Sequence, residues 1–168
     1  QPAHIAAVTG TNGKTSVARF TEQLWASLGH QGASLGTLGL SGASLDEAAA
    51  LTTPDPVALH RSLAGLADQG VSHLVMEASS HGLDQFRLDG VDITAAAFTN
   101  LSQDHLDYHR DEASYLAAKQ RLFGELLAAG GTAVLNADVP QFEALRAICR
   151  ERDQRLMSYG RRGNELRL

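Results

Sequence analysis

The sequence predicts an α/β domain: a mostly parallel sheet flanked by helices, of the mononucleotide-binding type that carries a phosphate loop. Three observations predict it. Short runs that are apolar throughout, rather than alternating, recur along the chain, as strands buried on both faces do. They alternate with segments of helical spacing, the order of βα units. Polar residues collect just past the strands, at Gly10-Thr11-Asn12, Glu77, Asn100 and Asn136. In an open α/β sheet, ligands bind outside the carboxyl ends of the strands.

The elements follow in order. His4 to Thr9 is a short apolar run with Ile and Val, hence a buried strand, and Gly10 to Gly13 is a loop. Val17, Phe20, Leu24 and Leu28 fall at helical spacing, and Gly29 closes that helix. Gly32 to Gly42, rich in Gly, Ser and Leu, reads as a strand and then a flexible loop. Pro56 suits the first turn of a helix capped by Asp55, with Leu59, Leu63 and Leu66 on one face. Ser72 to Met76 is the next strand, ending at Glu77, and Ile93 to Phe98 another, ending at Thr99-Asn100. A helix is predicted from Glu112 to Leu127, a strand from Thr132 to Leu135, a helix from Gln141 to Arg150 and a last strand from Arg155 to Tyr159.

The 168 residues suit one domain, and 43% hydrophobic residues supply a core. A net charge of −5 without a basic cluster argues against a nucleic-acid surface. No apolar run reaches the roughly 18 residues of a membrane span, so no membrane is expected, and a single cysteine, Cys149, permits no internal disulfide. A reduced, cytoplasmic setting and a monomer are expected, with Cys149 filling core. Gln1 stands in place of an initiator Met just before a strand, and Glu165 to Leu168 reads as the start of another. The chain is therefore expected to be a piece of something longer.

Thr9-Gly10-Thr11-Asn12-Gly13-Lys14-Thr15-Ser16 follows a strand and opens a helix. Glycines let the backbone curl so that N–H groups point at an anion, and the helix N-terminus adds partial positive charge. Lys14 can reach the β- and γ-phosphates of a nucleotide and Thr15 can ligate Mg²⁺. The loop is a short variant, because the early glycine of G-x-x-x-x-G-K-[ST] is Val8 here. The ordinary alternative is a Gly-rich turn with an exposed lysine.

On the Glu112–Leu127 helix, Tyr115, Ala118, Leu122 and Leu126 form the apolar stripe, and Lys119 falls within it. Three readings stand. The lysine snorkels to the rim, pairs with a carboxylate, or is desolvated toward a neutral amine. A neutral amine can take up CO₂ as a carbamate, an oxygen ligand for a hard cation such as Mg²⁺. Glu77, at a strand end facing the phosphate loop, is placed for a Mg²⁺ contact, or else is an ordinary loop acid. His105 and His109, four apart, have the spacing of a zinc pair on a helix. No Glu adjoins His105 and no cysteine is near, so zinc is the weaker reading.

Taken in order, Thr9 to Thr15, Leu51-Thr52-Thr53-Pro54, Glu77-Ala78-Ser79-Ser80-His81-Gly82-Leu83, Asn100 to His109 and Tyr115-Leu116-Ala117-Ala118-Lys119 resemble the central domain of the Mur ligases over nearly the whole chain. The Thr-Thr-Pro and Ser-Ser-His-Gly-Leu segments resemble the members that add the third amino acid in peptidoglycan synthesis. The resemblance implies that residues 1–168 are a central ATP-binding domain, truncated at its C-terminal end. A domain gripping the uridine nucleotide and one selecting the amino acid would be absent. It implies an ATP-dependent ligase that activates UDP-MurNAc-L-Ala-D-Glu as an acyl phosphate and joins it to meso-diaminopimelate or L-lysine. Gly10, Thr11, Asn12, Gly13, Lys14, Thr15 and Ser16 would hold ATP. Thr15 and Glu77 would bind one Mg²⁺, and His105 with carbamylated Lys119 a second. Lys14, Lys119 and His105 would thus be the catalytic residues, and Thr52, Thr53, Ser79, Gln85 and Arg87 would hold the muramoyl-peptide. Leu51 stands where relatives can carry a polar residue. The rivals are a folylpolyglutamate synthase-like ligase, disfavoured by Ser79 to Leu83 and Gln85, and a nucleotide-binding module that does no ligation.

Overall fold

A computed structural model describes residues 1–42, 45–47, 51–102 and 108–168, with 45–47 described by backbone alone. Strand β1 (His4–Thr9) leads through the glycine loop into helix α1 (Lys14–Ser27). Strands β2 (Gly32–Gly36), β3 (Gly39–Gly42) and β4 (Leu45–Glu47) form an antiparallel meander. The segment expected to be a flexible loop is thus largely strand. Gly39 and Gly42, both at positive φ, permit the tight reversals.

Helix α2 (Pro56–Asp68) starts as expected: the Asp55 carboxylate accepts the N–H groups of Val57 and Ala58, and Pro56 occupies the first turn. Its Leu59, Leu63 and Leu66 are buried. Strand β5 (His73–Glu77) is followed by a short helix α3 (Ser80–Asp84) that sequence reading had not identified. Strand β6 (Ile93–Phe98) comes next.

Helix α4 (Glu112–Arg121) is shorter than expected. Its last turn widens into a π-helical turn over Leu122–Leu126, in which the Leu127 amide reaches the Leu122 carbonyl. Strand β7 therefore begins at Leu127 and runs to Asn136. Helix α5 (Phe142–Glu151) and strands β8 (Arg155–Gly160) and β9 (Leu166–Arg167) complete the chain.

The sheet order is β4-β3-β2-β5-β1-β6-β7-β8-β9. Every pairing from β2 through β9 in that order is parallel. The main core unites α2, α3, the π turn and α5 with Ile5, Ala7, Leu74, Met76, Ala96, Phe98, Ala133 and Leu135 of the sheet. Cys149 lies fully buried in it, as expected of a core-filling thiol. A smaller cluster packs Val17, Ala18 and Trp25 of α1 against Val8 and Val75 on the opposite face. The helical stripe read from the sequence is only partly inside, because Phe20, Leu24 and Leu28 are 63%, 62% and 71% exposed. Small Ala18 lets α1 sit close to the sheet and turns those larger residues outward. Among the described residues, no helix is long and apolar enough to cross a membrane.

Candidate active site

The parallel register brings the carboxyl ends of β1, β5 and β6 side by side, pairing Val8 with both Glu77 and Ala97 and Thr9 with Phe98. The loops leaving β1 and β5 line one cleft of about 480 Å³. The phosphate loop (Thr11 to Thr15) forms one wall, and Thr37, Leu51, Thr52, Thr53, Glu77, Ser79, His81 and Arg87 complete it.

The loop is held from the β6 side. The Thr11 amide donates to the Asn100 carbonyl at 2.9 Å and the Asn12 amide to Asn100 Oδ1 at 3.0 Å. Those two amides therefore face Asn100. The amides left to meet an anion are those of the first turn of α1, which helix geometry leaves without intrahelical acceptors. Gly13, in the left-handed region at φ 88°, makes the turn into that helix. Gly10 sits at φ 144°, and a Cβ there would lie 1.9 Å from Thr99 Oγ1. Only glycine passes at this point. Thr99 in turn donates to the Asn12 carbonyl at 2.6 Å, and Asn136 Nδ2 to the Thr99 carbonyl at 2.9 Å.

Lys14 Nζ donates to the carbonyls of Gly10 and Thr11, both at 2.9 Å, so its ammonium lies over the loop. Thr15 Oγ1 donates to Glu77 Oε2 at 3.0 Å. The Glu77 carboxylate, 2% exposed, also accepts the Thr37 amide on Oε1 at 2.8 Å. Sequence reading missed Thr37. Its one signal was that it directly follows the strand ending at Gly36, on the edge where the other polar residues gather. The Thr15–Glu77 pair supplies oxygen donors only, the set a hard divalent cation takes. Gly36 leaves room beside it, since a Cβ there would come within 2.1 Å of Glu77 Oε1.

Lys119 does not snorkel. It is 1% exposed, and its Nζ donates to the Gly10 carbonyl at 3.0 Å while lying 4.3 Å from the Tyr115 ring centroid. Two lysine ammonium groups, of Lys14 and Lys119, thus share one carbonyl oxygen. The structure brings Lys119 to the phosphate loop, across 109 residues of chain. His105 lies outside the described residues. His109 is buried, with its ring 5.1 Å from that of Tyr115 and 5.7 Å from that of His81. Among the described residues, no group of three or more His, Cys, Asp or Glu is arranged to hold a metal.

Of the residues assigned to the muramoyl-peptide, Thr52, Thr53, Ser79 and Arg87 line the cleft. Thr53 is 1% exposed: its hydroxyl donates to the Glu77 carbonyl at 2.9 Å and accepts the Ser79 amide at 3.0 Å. It ties Thr52-Thr53-Pro54 to the end of β5. Gly82 fits beneath it, since a Cβ there would fall 2.6 Å from Thr53 Cγ2. Arg87 donates to the Thr53 carbonyl at 2.8 Å and to Gln85 Oε1. Gln85 reaches Tyr108 Oη at 3.1 Å, so it acts on the cleft through Arg87.

Fold and loop together define an α/β domain of the phosphate-loop type, with an oxygen-donor pair and a buried lysine at the strand ends. Residues 8–168 match the family model described as Mur ligase middle domain, and the chain belongs to that family. It is 58% identical over 165 residues to the UDP-N-acetylmuramoyl-L-alanyl-D-glutamate--2,6-diaminopimelate ligase of Bradyrhizobium diazoefficiens, covering 98% of this chain and 34% of that protein. A solved structure of a ligase of the same name superposes with a TM-score of 0.86 at 37% identity, over 99% of this chain and 34% of that one. The folylpolyglutamate synthase of Mycobacterium tuberculosis, complexed with ADP and AMPPCP, shares the fold at 22% identity and a TM-score of 0.71, over 94% of this chain and 42% of that one. The chain spans about a third of the length of the curated relatives it matches.

Proposed function

We propose that this chain is the ATP-binding part of a ligase that joins 2,6-diaminopimelate to UDP-MurNAc-L-Ala-D-Glu in the cytoplasm, as a monomer. The observation that carries the reading is convergence: the phosphate loop and the Thr15–Glu77 pair line one cleft, and the buried Lys119 reaches the Gly10 carbonyl of the same loop. The names of relatives at 50–58% identity favour diaminopimelate over L-lysine. Residues that grip the uridine nucleotide and select the amine belong to parts of the longer protein outside residues 1–168.

In this reading the first turn of α1 and Lys14 bind the ATP phosphates. Lys14 leaves the loop carbonyls for the γ-phosphoryl and offsets charge as it passes to the substrate carboxylate. The products are acyl phosphate and ADP, and attack by the amine then releases phosphate and forms the amide. Mg²⁺ would sit on Thr15 and Glu77, whose oxygens fit it, and would neutralise the two anions brought together. A second would take His105 and Lys119. Lys119 is buried where the phosphate loop passes. Its neutral amine can attack CO₂, forming an N–C bond and losing a proton to water. The resulting carbamate is an oxygen donor where the ammonium was not. Thr52, Ser79 and Arg87 face the muramoyl-peptide, while Thr53 and Gln85 hold them in place.

The test uses the complete protein with ATP, Mg²⁺, the muramoyl dipeptide and either diamino acid, and follows product by mass. Tripeptide product with diaminopimelate is expected, and its loss in Lys14→Ala without loss of fold. Ligation of glutamate to a folate instead would overturn the assignment, as would near-normal turnover of Lys14→Ala.

A further inference from the structure

The phosphate loop is held by α4 at two successive residues. Lys119 takes the Gly10 carbonyl, and Tyr115, 1% exposed, places its hydroxyl 3.1 Å from Thr11 Oγ1. The direction of the second bond follows from donor and acceptor capacity. Thr11 Oγ1 already accepts the Ser102 amide at 3.0 Å and has one hydrogen, for which the Ser102 carbonyl lies at 3.3 Å. With Tyr115 as donor and Thr11 donating to Ser102, all of these groups are satisfied at once. A relay then runs from α4 through the phosphate loop to the segment leaving β6.

The two ties differ in what the reaction does to them. On the ligase reading above, on which this inference rests, Lys119 gives up its ammonium to become a metal-bound carbamate, and its hold on Gly10 goes with it. The Tyr115 hydroxyl undergoes no such change.

We propose that Tyr115 is a positioning residue for nucleotide binding, whose hydroxyl, held on Thr11, keeps α4 in register with the phosphate loop while Lys119 is engaged elsewhere. Its ring is secondary to this role. Because Thr11 keeps both Ser102 contacts when the phenol is removed, loss of the hydroxyl leaves no buried group stranded. At Thr11 the loss is that of one hydrogen bond.

Tyr115→Phe, made in the full-length ligase, keeps the ring and removes the tie. KM for ATP should rise by up to roughly fivefold, the ceiling set by about one net hydrogen bond, with kcat at saturating ATP little changed and a modest fall in melting temperature, since the bond is present without nucleotide. Thr11→Val removes the other end of the same bond. The double variant should be no worse in KM for ATP than Thr11→Val alone, because both changes delete one interaction. Fully additive effects, or an unchanged KM for ATP in a stable Tyr115→Phe, would overturn the proposal. Lys14→Ala assayed alongside separates the two levels of inference. If Lys14→Ala is inactive and Tyr115→Phe is normal, only the positioning role fails. If Lys14→Ala is active, the ligase reading fails first.

Discussion

Gly36→Ala should weaken Mg²⁺ binding, because the three atoms nearest its added carbon all belong to Glu77. Gly36 closes β2 with a φ that alanine tolerates, so the substitution acts through its Cβ alone. That carbon would lie 2.1 Å from Glu77 Oε1 and 2.6 Å from Glu77 Cγ and Cδ. The carboxylate must withdraw by about 1 Å to restore ordinary contact, a distance that breaks its bonds to the Thr37 amide and to Thr15 Oγ1. Each hydrogen bond to a charged group contributes about 1.5–3 kcal/mol, and relaxation returns part of that. A net loss of about 1.4 kcal/mol in Mg²⁺ affinity corresponds to a tenfold rise in the Mg²⁺ midpoint. The assay is ligation by the full-length enzyme against Mg²⁺ concentration, with much of kcat recovered at saturation. Gly65→Ala is the matched control. Nothing lies within 4 Å of its added carbon, and it sits inside α2, where alanine should stabilise by about 0.5–1 kcal/mol. A folded Gly36→Ala enzyme with an unchanged Mg²⁺ midpoint would refute Glu77 as the metal residue.

Lys119→Ala in the full-length ligase should be inactive and partly rescued by small carboxylates such as formate, while the parent enzyme loses activity when bicarbonate is depleted. Failure of both would remove the carbamate. Cys149 is fully buried, and burial pushes its thiol up to about 11, so alkylation at pH 8 should be negligible until denaturant unfolds the chain; rapid labelling of the native protein would contradict the core packing. His73 is held below the ordinary histidine value of 6.5, first by desolvation and then by His30 and His4. The unfolded chain therefore binds the proton more readily, and the stability His73 contributes is present above about pH 6.5 and lost as pH falls through its folded value. The melting-temperature advantage of the parent over His73→Gln should shrink from pH 7.5 to pH 5, and a constant difference would count against the cluster.

The parallel core was legible because its strands are apolar on both faces and its helices carry their own punctuation. Asp55 and Pro56 mark the start of α2 by local chemistry alone. Less legible were the elements set by tertiary context. Beyond its first strand, the Gly32–Gly42 segment reads as a flexible loop because Gly39 and Gly42 carry no periodicity, although they are what lets the chain reverse. The π turn at Leu122–Leu126 keeps helical spacing in the sequence, and only its exit into β7 shows that the helix had ended. In the site, Lys14, Glu77 and Lys119 were visible as anomalies: a lysine at a strand–helix junction, an acid at a strand end, a lysine in an apolar stripe; Thr15 was visible as the residue after that first lysine in the loop motif. Thr37, Asn100 and Thr99 were not assigned roles, because a small polar residue after a strand looks the same whether it orients a carboxylate or caps a turn. Thr53 belongs with them in physical terms, since its hydroxyl is spent on the backbone around Glu77 and Ser79.

One backbone carbonyl joins the parts of the site. Gly10 O receives both Lys14 and Lys119, at 2.9 and 3.0 Å. The carbonyl can serve both because the loop passes tight against Thr99, where a Cβ at position 10 would lie 1.9 Å from Thr99 Oγ1. The backbone of a single glycine therefore sets the starting position of both lysines, and any side chain at that position would displace the two together.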